Sequence, residues 1–111
     1  METDKKPISR GPEKPIALKA HDTGSGIVIG ACDAHLLGKK IREKGLVLEL
    51  SKEFYFERHA TADELSALVE ECITANLVGE IAVGAYCKKN PGAKAAIRKV
   101  GGVSHLQVYQ L

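Results

Sequence analysis

The sequence lacks any apolar run that could span a bilayer. Its longest hydrophobic stretches are broken at Gly79, Glu80 and Gly84 and fall short of the roughly 20 residues that a membrane helix needs. The opening segment, METDKKPISRGPEKP, carries charge, proline and glycine without a hydrophobic segment, so it reads as neither a signal peptide nor an anchor. A cytoplasmic location and no membrane partner are expected. Cysteine is scarce as well. Cys32, Cys72 and Cys87 are odd in number and irregular in spacing, which argues against a disulfide framework and for reduced, buried thiols. There is no internal repeat, no low-complexity run and no motif of a groove-reading DNA-binding fold. Residues 81–111 contain no acidic side chain at all.

What is present describes a folded chain. Hydrophobic residues make up 44% of the 111 positions and charged residues 27%, too apolar for disorder and ordinary for a globular protein. Length alone points to one core. The net charge of +2 conceals a strong asymmetry: residues 46–80 carry eight acidic and two basic side chains, and residues 81–111 carry five basic ones. The middle is acidic and the C-terminal third is basic.

Residues 1–14 read as a flexible basic tail, punctuated by Pro7, Gly11 and Pro12, and residues 15–111 as one α+β domain. IALKA (16–20) and IVIGAC (27–32) are strand-like and are joined by a polar, glycine-containing stretch, a hairpin signal. Asp33 is placed to cap a short helical turn over residues 34–37, with Gly38 as its stop. LVLEL (46–50) reads as a strand, and FYF (54–56) brings three of the five aromatic rings together as core anchors. Thr61 and Glu64 form a capping box, followed by Leu65, Leu68, Val69, Cys72 and Ile73 at helical spacing. The apolar stripe resumes at Leu77, Val78, Ile81, Ala82 and Ala85, which predicts a second helix or a kinked continuation to about Lys89. Segments on either side of Gly101 and Gly102 read as a closing hairpin. The expected fold is α+β, a small, largely antiparallel sheet of about five strands with one or two main helices packed on one face.

Several stretches invite a catalytic reading. HDTGSG (21–26) contains the Asp-Thr-Gly-Ser of aspartic proteases, where two carboxylates about 3 Å apart share a proton. A homodimer would have to bring Asp22 against its copy. Those enzymes are nearly all strand, whereas residues 61–89 hold this chain's clearest helical pattern, so a tight turn is the better reading of the motif. Gly24, Gly26 and Gly30 do not make a dinucleotide loop, because a strand rather than a helix follows them. Cys32 and His35 lack a second Cys/His pair of matching spacing for zinc, and Cys32 with His105 as a nucleophile pair rests only on residue type. No metal and no cofactor are expected, and the balance leans away from an enzyme.

Two constellations remain. The first is basic: Lys39, Lys40, Arg42 and Lys44, then Lys88, Lys89, Lys94, Arg98 and Lys99. In the last strand, alternation puts His105, Gln107 and Tyr109 on the face opposite Leu106 and Val108. Cations beside such a row can hold phosphates and stack a base, although a pI near 8.4 is low for a dedicated nucleic-acid binder. The second is a set of pocket candidates, Cys32, Asp33, Asn76, Glu80 and His105. They would serve a small-molecule binder or enzyme if they converge in one cleft.

At ACDAHLLGKK, EFYF, TANLVGEIAV and GGVSHLQV the chain resembles the small archaeal proteins grouped as domain of unknown function 424, in order and spacing from about residue 16 to residue 109. Ser104 departs from that pattern, which carries a proline before the histidine. The resemblance implies an archaeal cytoplasmic protein of one α+β domain and brings no catalytic residues with it. The leading expectation is a non-catalytic module that binds RNA or a ribosomal particle in translation or RNA processing. The pocket set is the alternative.

Overall fold

A computed structural model describes residues 13–110. Residues 1–12 of the expected tail lie outside that range. Strands β1 (Ile16–Asp22) and β2 (Ile27–Asp33) form the first hairpin, as expected. A 3-10 turn, Ala34–Leu36, leads into a second hairpin of β3 (Lys40–Glu43) and β4 (Leu46–Glu49). Then come α1 (Lys52–Tyr55), β5 (Arg58–Ala60), α2 (Ala62–Val69), β6 (Thr74–Val78), α3 (Glu80–Lys89) and a 3-10 segment, Pro91–Ala96. The chain closes with the hairpin of β7 (Arg98–Val100) and β8 (Val103–Tyr109).

The main sheet has six strands in the order β5-β1-β2-β6-β8-β7, and β3 with β4 makes a separate two-stranded sheet. Only the central pair, β2 and β6, is parallel; the other four pairings are antiparallel. This α+β architecture matches the expected class, with one strand more in the main sheet and an unforeseen parallel join.

Two sequence expectations need correction. The helix begun by the capping box, where Thr61 and Glu64 exchange hydrogen bonds of 3.0 and 2.9 Å, stops at Val69, before Cys72 and Ile73. The stripe at Leu77 and Val78 belongs to a strand, and the second helix starts only at Glu80. Ala75 and Leu77 are two apart, as in a strand, while Leu77 and Val78 are each four residues from Ile81 and Ala82, as in a helix, and the sheet edge offered by β2 decides the outcome. Asn76 therefore lies on a strand and Glu80 opens the following helix.

The two faces of the sheet bury different cores. On one face Ile16, Leu18, Ile29, Ala31, Ala75, Leu77, Leu106 and Val108 pack beneath α2 and α3 through Leu65, Val69, Ala82 and Val83. Small side chains let the helices approach, and buried Ser66 donates its hydroxyl to the Ala85 carbonyl at 3.1 Å. The opposite face carries a smaller core of Ala17, Cys32, Leu36, Leu50, Tyr55 and Val78, closed by the β3–β4 hairpin and α1. Of the three clustered rings, Tyr55 is buried while Phe54 and Phe56 are half-buried.

Gly30 makes that second covering possible. A Cβ there would run into the Phe54 carbonyl oxygen at 2.5 Å and its ring at 2.6 Å, so α1 can lie on the sheet only where β2 has no side chain. Gly84 is the opposite case, a helical glycine on α3 with open space around it. Gly84→Ala should raise stability by about 0.5–1 kcal/mol through helix propensity. Gly30→Ala should lower it by about 1–3 kcal/mol through overpacking. Urea unfolding midpoints of the two variants, compared with the parent, read both signs.

Candidate functional site

Asp33 ends β2 and is 2% exposed. It does not cap the turn that follows it, which has no side-chain cap, so that expectation is corrected. Its carboxylate instead reaches across the parallel pair to α3, where Oδ1 accepts from the Ala82 amide at 2.8 Å and Oδ2 from the Ile81 amide at 3.1 Å. The first N–H groups of a helix have no partner within it and carry the positive end of its dipole. Asp33 is thus an N-cap supplied from 48 residues away. Gly79, at φ 105°, leaves the necessary space; any Cβ there would overlap the Asp33 carboxylate.

Beside this tie lies a cleft of about 230 Å³ lined by Asp33, His35, Leu36, Glu80, Ile81 and Val103 together with Gly79 and Gly102. It is smaller than the roughly 300–1,000 Å³ of most ligand pockets. Its two carboxylates are engaged: Asp33 as described, and Glu80, whose Oε2 accepts from the Ser104 hydroxyl at 2.8 Å and from Lys99 Nζ at 3.2 Å. Those two contacts, the hydroxyl first, hold the Glu80 carboxyl below the usual range. Ser104 is a buried residue of β8, and its carbonyl also accepts from the Gly79 amide at 2.8 Å.

The five pocket candidates do not share this cleft. Asp33 and Glu80 line it. Cys32 points to the other side of the sheet, into the core with Tyr55 and Val78. Burial, reinforced by the Asp33 charge, pushes its thiol up to about 12, so it stays protonated and is a poor nucleophile or ligand at neutral pH. Val78 lies between it and His105 in the ladder, which separates the two by two strand spacings, about 10 Å. Among the described residues no group of three His, Cys, Asp or Glu side chains is placed to hold a metal ion. The HDTGSG stretch is a tight turn: Thr23 donates its amide and hydroxyl to the Gly26 carbonyl at 3.1 and 2.8 Å, and Asp22 accepts from the Gly24 amide at 3.1 Å.

Asn76 and His105 lie on the face of the sheet opposite the helices, and there the ladder sets out three rows. His21, Val28, Thr74 and Tyr109 form one. Lys19, Gly30, Asn76 and Gln107 form the next. Cys32, Val78, His105 and Arg98 form the third. Phe54 covers Gly30 and stacks on His21 with ring centroids 4.7 Å apart, closing the β1–β2 side. The β6–β8–β7 side is open in part: Val78 is buried in the core closed by the β3–β4 hairpin, whereas Gln107 and Arg98 are exposed, Tyr109 is 63% exposed, and Gln107 Nε2 donates to Asn76 Oδ1 at 2.9 Å.

The basic residues divide between the two sides. Lys40 and Arg42 on β3, with Lys39 and Lys44 at its ends, belong to the hairpin that closes the second core. That hairpin meets the β7–β8 turn, where the Gly101 amide donates to Glu43 and Gly101 packs on Ile41. Arg98 pairs with His105 on the same side. Lys88, Lys89 and Lys94 lie at and beyond the end of α3, and two of the cations on the helical side are paired, Lys89 with Asp63 at 3.6 Å and Lys99 with Glu80 at 3.2 Å. Sequence reasoning missed Gly30, Phe54 and Lys19 as parts of this face and Gly79 as the residue that leaves room for the Asp33 carboxylate. A lone glycine within a β-branched run was the one available signal of a close approach.

The family model described as "Protein of unknown function (DUF424)" matches residues 21–111. The chain belongs to the DUF424 family. A crystal structure of an uncharacterized conserved protein from Methanopyrus kandleri is similar at 30% identity and a TM-score of 0.72, over 86% of this chain and 91% of that one. No curated protein matches. No helix among the described residues is long and apolar enough to cross a membrane.

Removing the remote cap should be costly. Asp33→Ala leaves two helix amides without their acceptor, that of Ala82 buried and that of Ile81 part-buried, which predicts a loss of about 1–3 kcal/mol in urea unfolding, with Asp33→Asn intermediate. His105 carries a pH signature. Burial, and then the nearby Arg98 charge, lowers its pKa below the usual value, so the unfolded chain takes up the proton first as pH falls. Stability should decline as pH drops below about 6.5, and His105→Gln should flatten that part of the profile. The carboxylate contribution of Glu80 belongs to lower pH, below 4.5.

Proposed function

We propose that the protein binds RNA, free or within a ribonucleoprotein, through the open β6–β8–β7 face and the adjoining β3–β4 hairpin. The observation that carries this reading is the three-row face itself. A row of hydrogen-bonding side chains and one exposed ring lies beside Arg98, and Lys40 and Arg42 sit on the hairpin that meets the neighbouring turn. Sheet faces of this kind recognise RNA by pairing cations with phosphates and offering flat groups for stacking. Lys39 and Lys44 extend the positive margin, whereas Lys19, across the covered β1–β2 side, and Lys88, Lys89, Lys94 and Lys99 lie outside the interface. His105, held neutral more readily than an exposed histidine, adds a ring that can donate or accept a hydrogen bond. The small-molecule reading retains two of its five residues at the cleft, both already hydrogen-bonded.

Fluorescence anisotropy with labelled RNA across a salt series tests the reading. Binding through phosphates gives a log–log slope near −0.7 per contact for single strands. Joint replacement Lys40→Ala, Arg42→Ala and Arg98→Ala should flatten the slope by about two units, and Lys88→Ala with Lys89→Ala should leave it unchanged. An unaltered slope in the triple variant would overturn the assignment of the interface.

A further inference from the structure

The open face has a centre suited to nucleotides whose bases are unpaired, an inference that rests on the RNA reading above. Gln107 and Tyr109 project from the same side of β8 two residues apart, so their attachment points stand about 7 Å apart along the strand. Asn76 and Gln107, opposite one another in the ladder, share one hydrogen bond. Two side-chain amides bring four N–H donors and two carbonyl oxygens, so one mutual bond leaves a carbonyl oxygen and further N–H groups. Exchanging oxygen and nitrogen in both amides leaves the same inventory.

That inventory, an acceptor beside a donor, complements the Watson–Crick edge of a nucleobase. In a duplex this edge is occupied by the partner strand. Double-stranded RNA is instead held by its shape, through 2′-hydroxyls and phosphates across a wide shallow groove. A patch three strands wide with one projecting ring is too short to span two successive grooves. Tyr109, next to Thr74 at the far end of the face, offers its exposed ring in the row adjacent to the amides. Arg98 stands at the opposite margin beside His105. The amides are therefore flanked by a stacking surface on one side and a phosphate-pairing cation on the other. The partner's negative charge matches this margin and that of the hairpin, and an unpaired strand is the form of RNA whose base edges can reach the centre.

We propose that this face selects single-stranded RNA over duplex, with one base stacked on Tyr109, a neighbouring base edge held by the Asn76–Gln107 amide pair, and a phosphate paired with Arg98. The test uses the full chain and a labelled mixed-sequence RNA of about eight nucleotides, alone and annealed to its complement, at low salt. The single strand should bind about tenfold more tightly or better. Tyr109→Ala should weaken single-strand binding by about tenfold, while Tyr109→Phe keeps it. Gln107→Ala should weaken it several-fold with no change in salt slope, since no phosphate contact is lost. Both side chains are exposed, and the thermal midpoint of each variant verifies folding. Equal or tighter duplex binding, or wild-type affinity in Tyr109→Ala, overturns this inference while leaving an RNA interface in place. Binding of neither probe overturns the RNA reading beneath it.

Discussion

The arrangement depends on one buried carboxylate. Asp33 ends β2 and receives two amides from the first turn of α3, so the parallel pair at the middle of the sheet and the longest helix are tied at one point. A buried charge is tolerated because it is hydrogen-bonded and faces the positive end of a helix. Gly79 is required for the same reason, since the chain must leave β6 and start α3 without a Cβ against that carboxylate. Once α3 is anchored, α2 packs beside it through Ser66, and one face of the sheet is closed by aliphatic side chains.

Everything on the other face follows from alternation. Each core residue of β6 and β8 beneath the helices commits its neighbours to the far side, so buried Leu77, Leu106 and Val108 place Asn76, His105, Gln107 and Tyr109 together. Gly30 then decides how much of that side is covered. It admits α1 and Phe54 over β1 and β2, the β3–β4 hairpin covers the row through Val78 and reaches the β7–β8 turn, and the part of the face that carries Gln107 and Tyr109 stays exposed. The uncovered remainder has the hydrogen-bonding groups, the exposed ring and the cations that support the RNA reading. The acidic residues of the middle segment serve mostly elsewhere, with Glu64 in its capping box and Asp63 and Glu80 paired to lysines on the helical side.

Local signals were legible in the sequence. The turn at residues 23–26, the capping box at Thr61, the closing hairpin at Gly101 and Gly102 and the sidedness of β8 each depend on a few adjacent residues. Non-local choices were not. Residues 74–78 fit a helical stripe as well as a strand, and pairing with β2 decides between them. Asp33 sits where a cap for the next turn belongs, yet its hydrogen bonds run to amides 48 and 49 residues away, a preference set by the packing of α3. The basic third of the chain is one block in sequence but two groups in space, because adjacent Arg98 and Lys99 on β7 point to opposite faces. The pocket set failed to converge for the same reason, as adjacent Cys32 and Asp33 point to opposite faces, one into the second core and the other to the start of α3.

The central claim is that function resides on the open half of the sheet and not on the helical layer or the cleft. Two-dimensional NMR of the labelled protein, titrated with an unpaired RNA oligonucleotide, tests it most directly. The account predicts that the largest shifts fall on Thr74, Asn76, Arg98, His105, Gln107 and Tyr109, extend to Lys40 and Arg42, and spare Lys88, Lys89 and the amides of Ile81 and Ala82. Shifts centred on α3 and the Asp33 cleft, with the β8 rows unmoved, would contradict it.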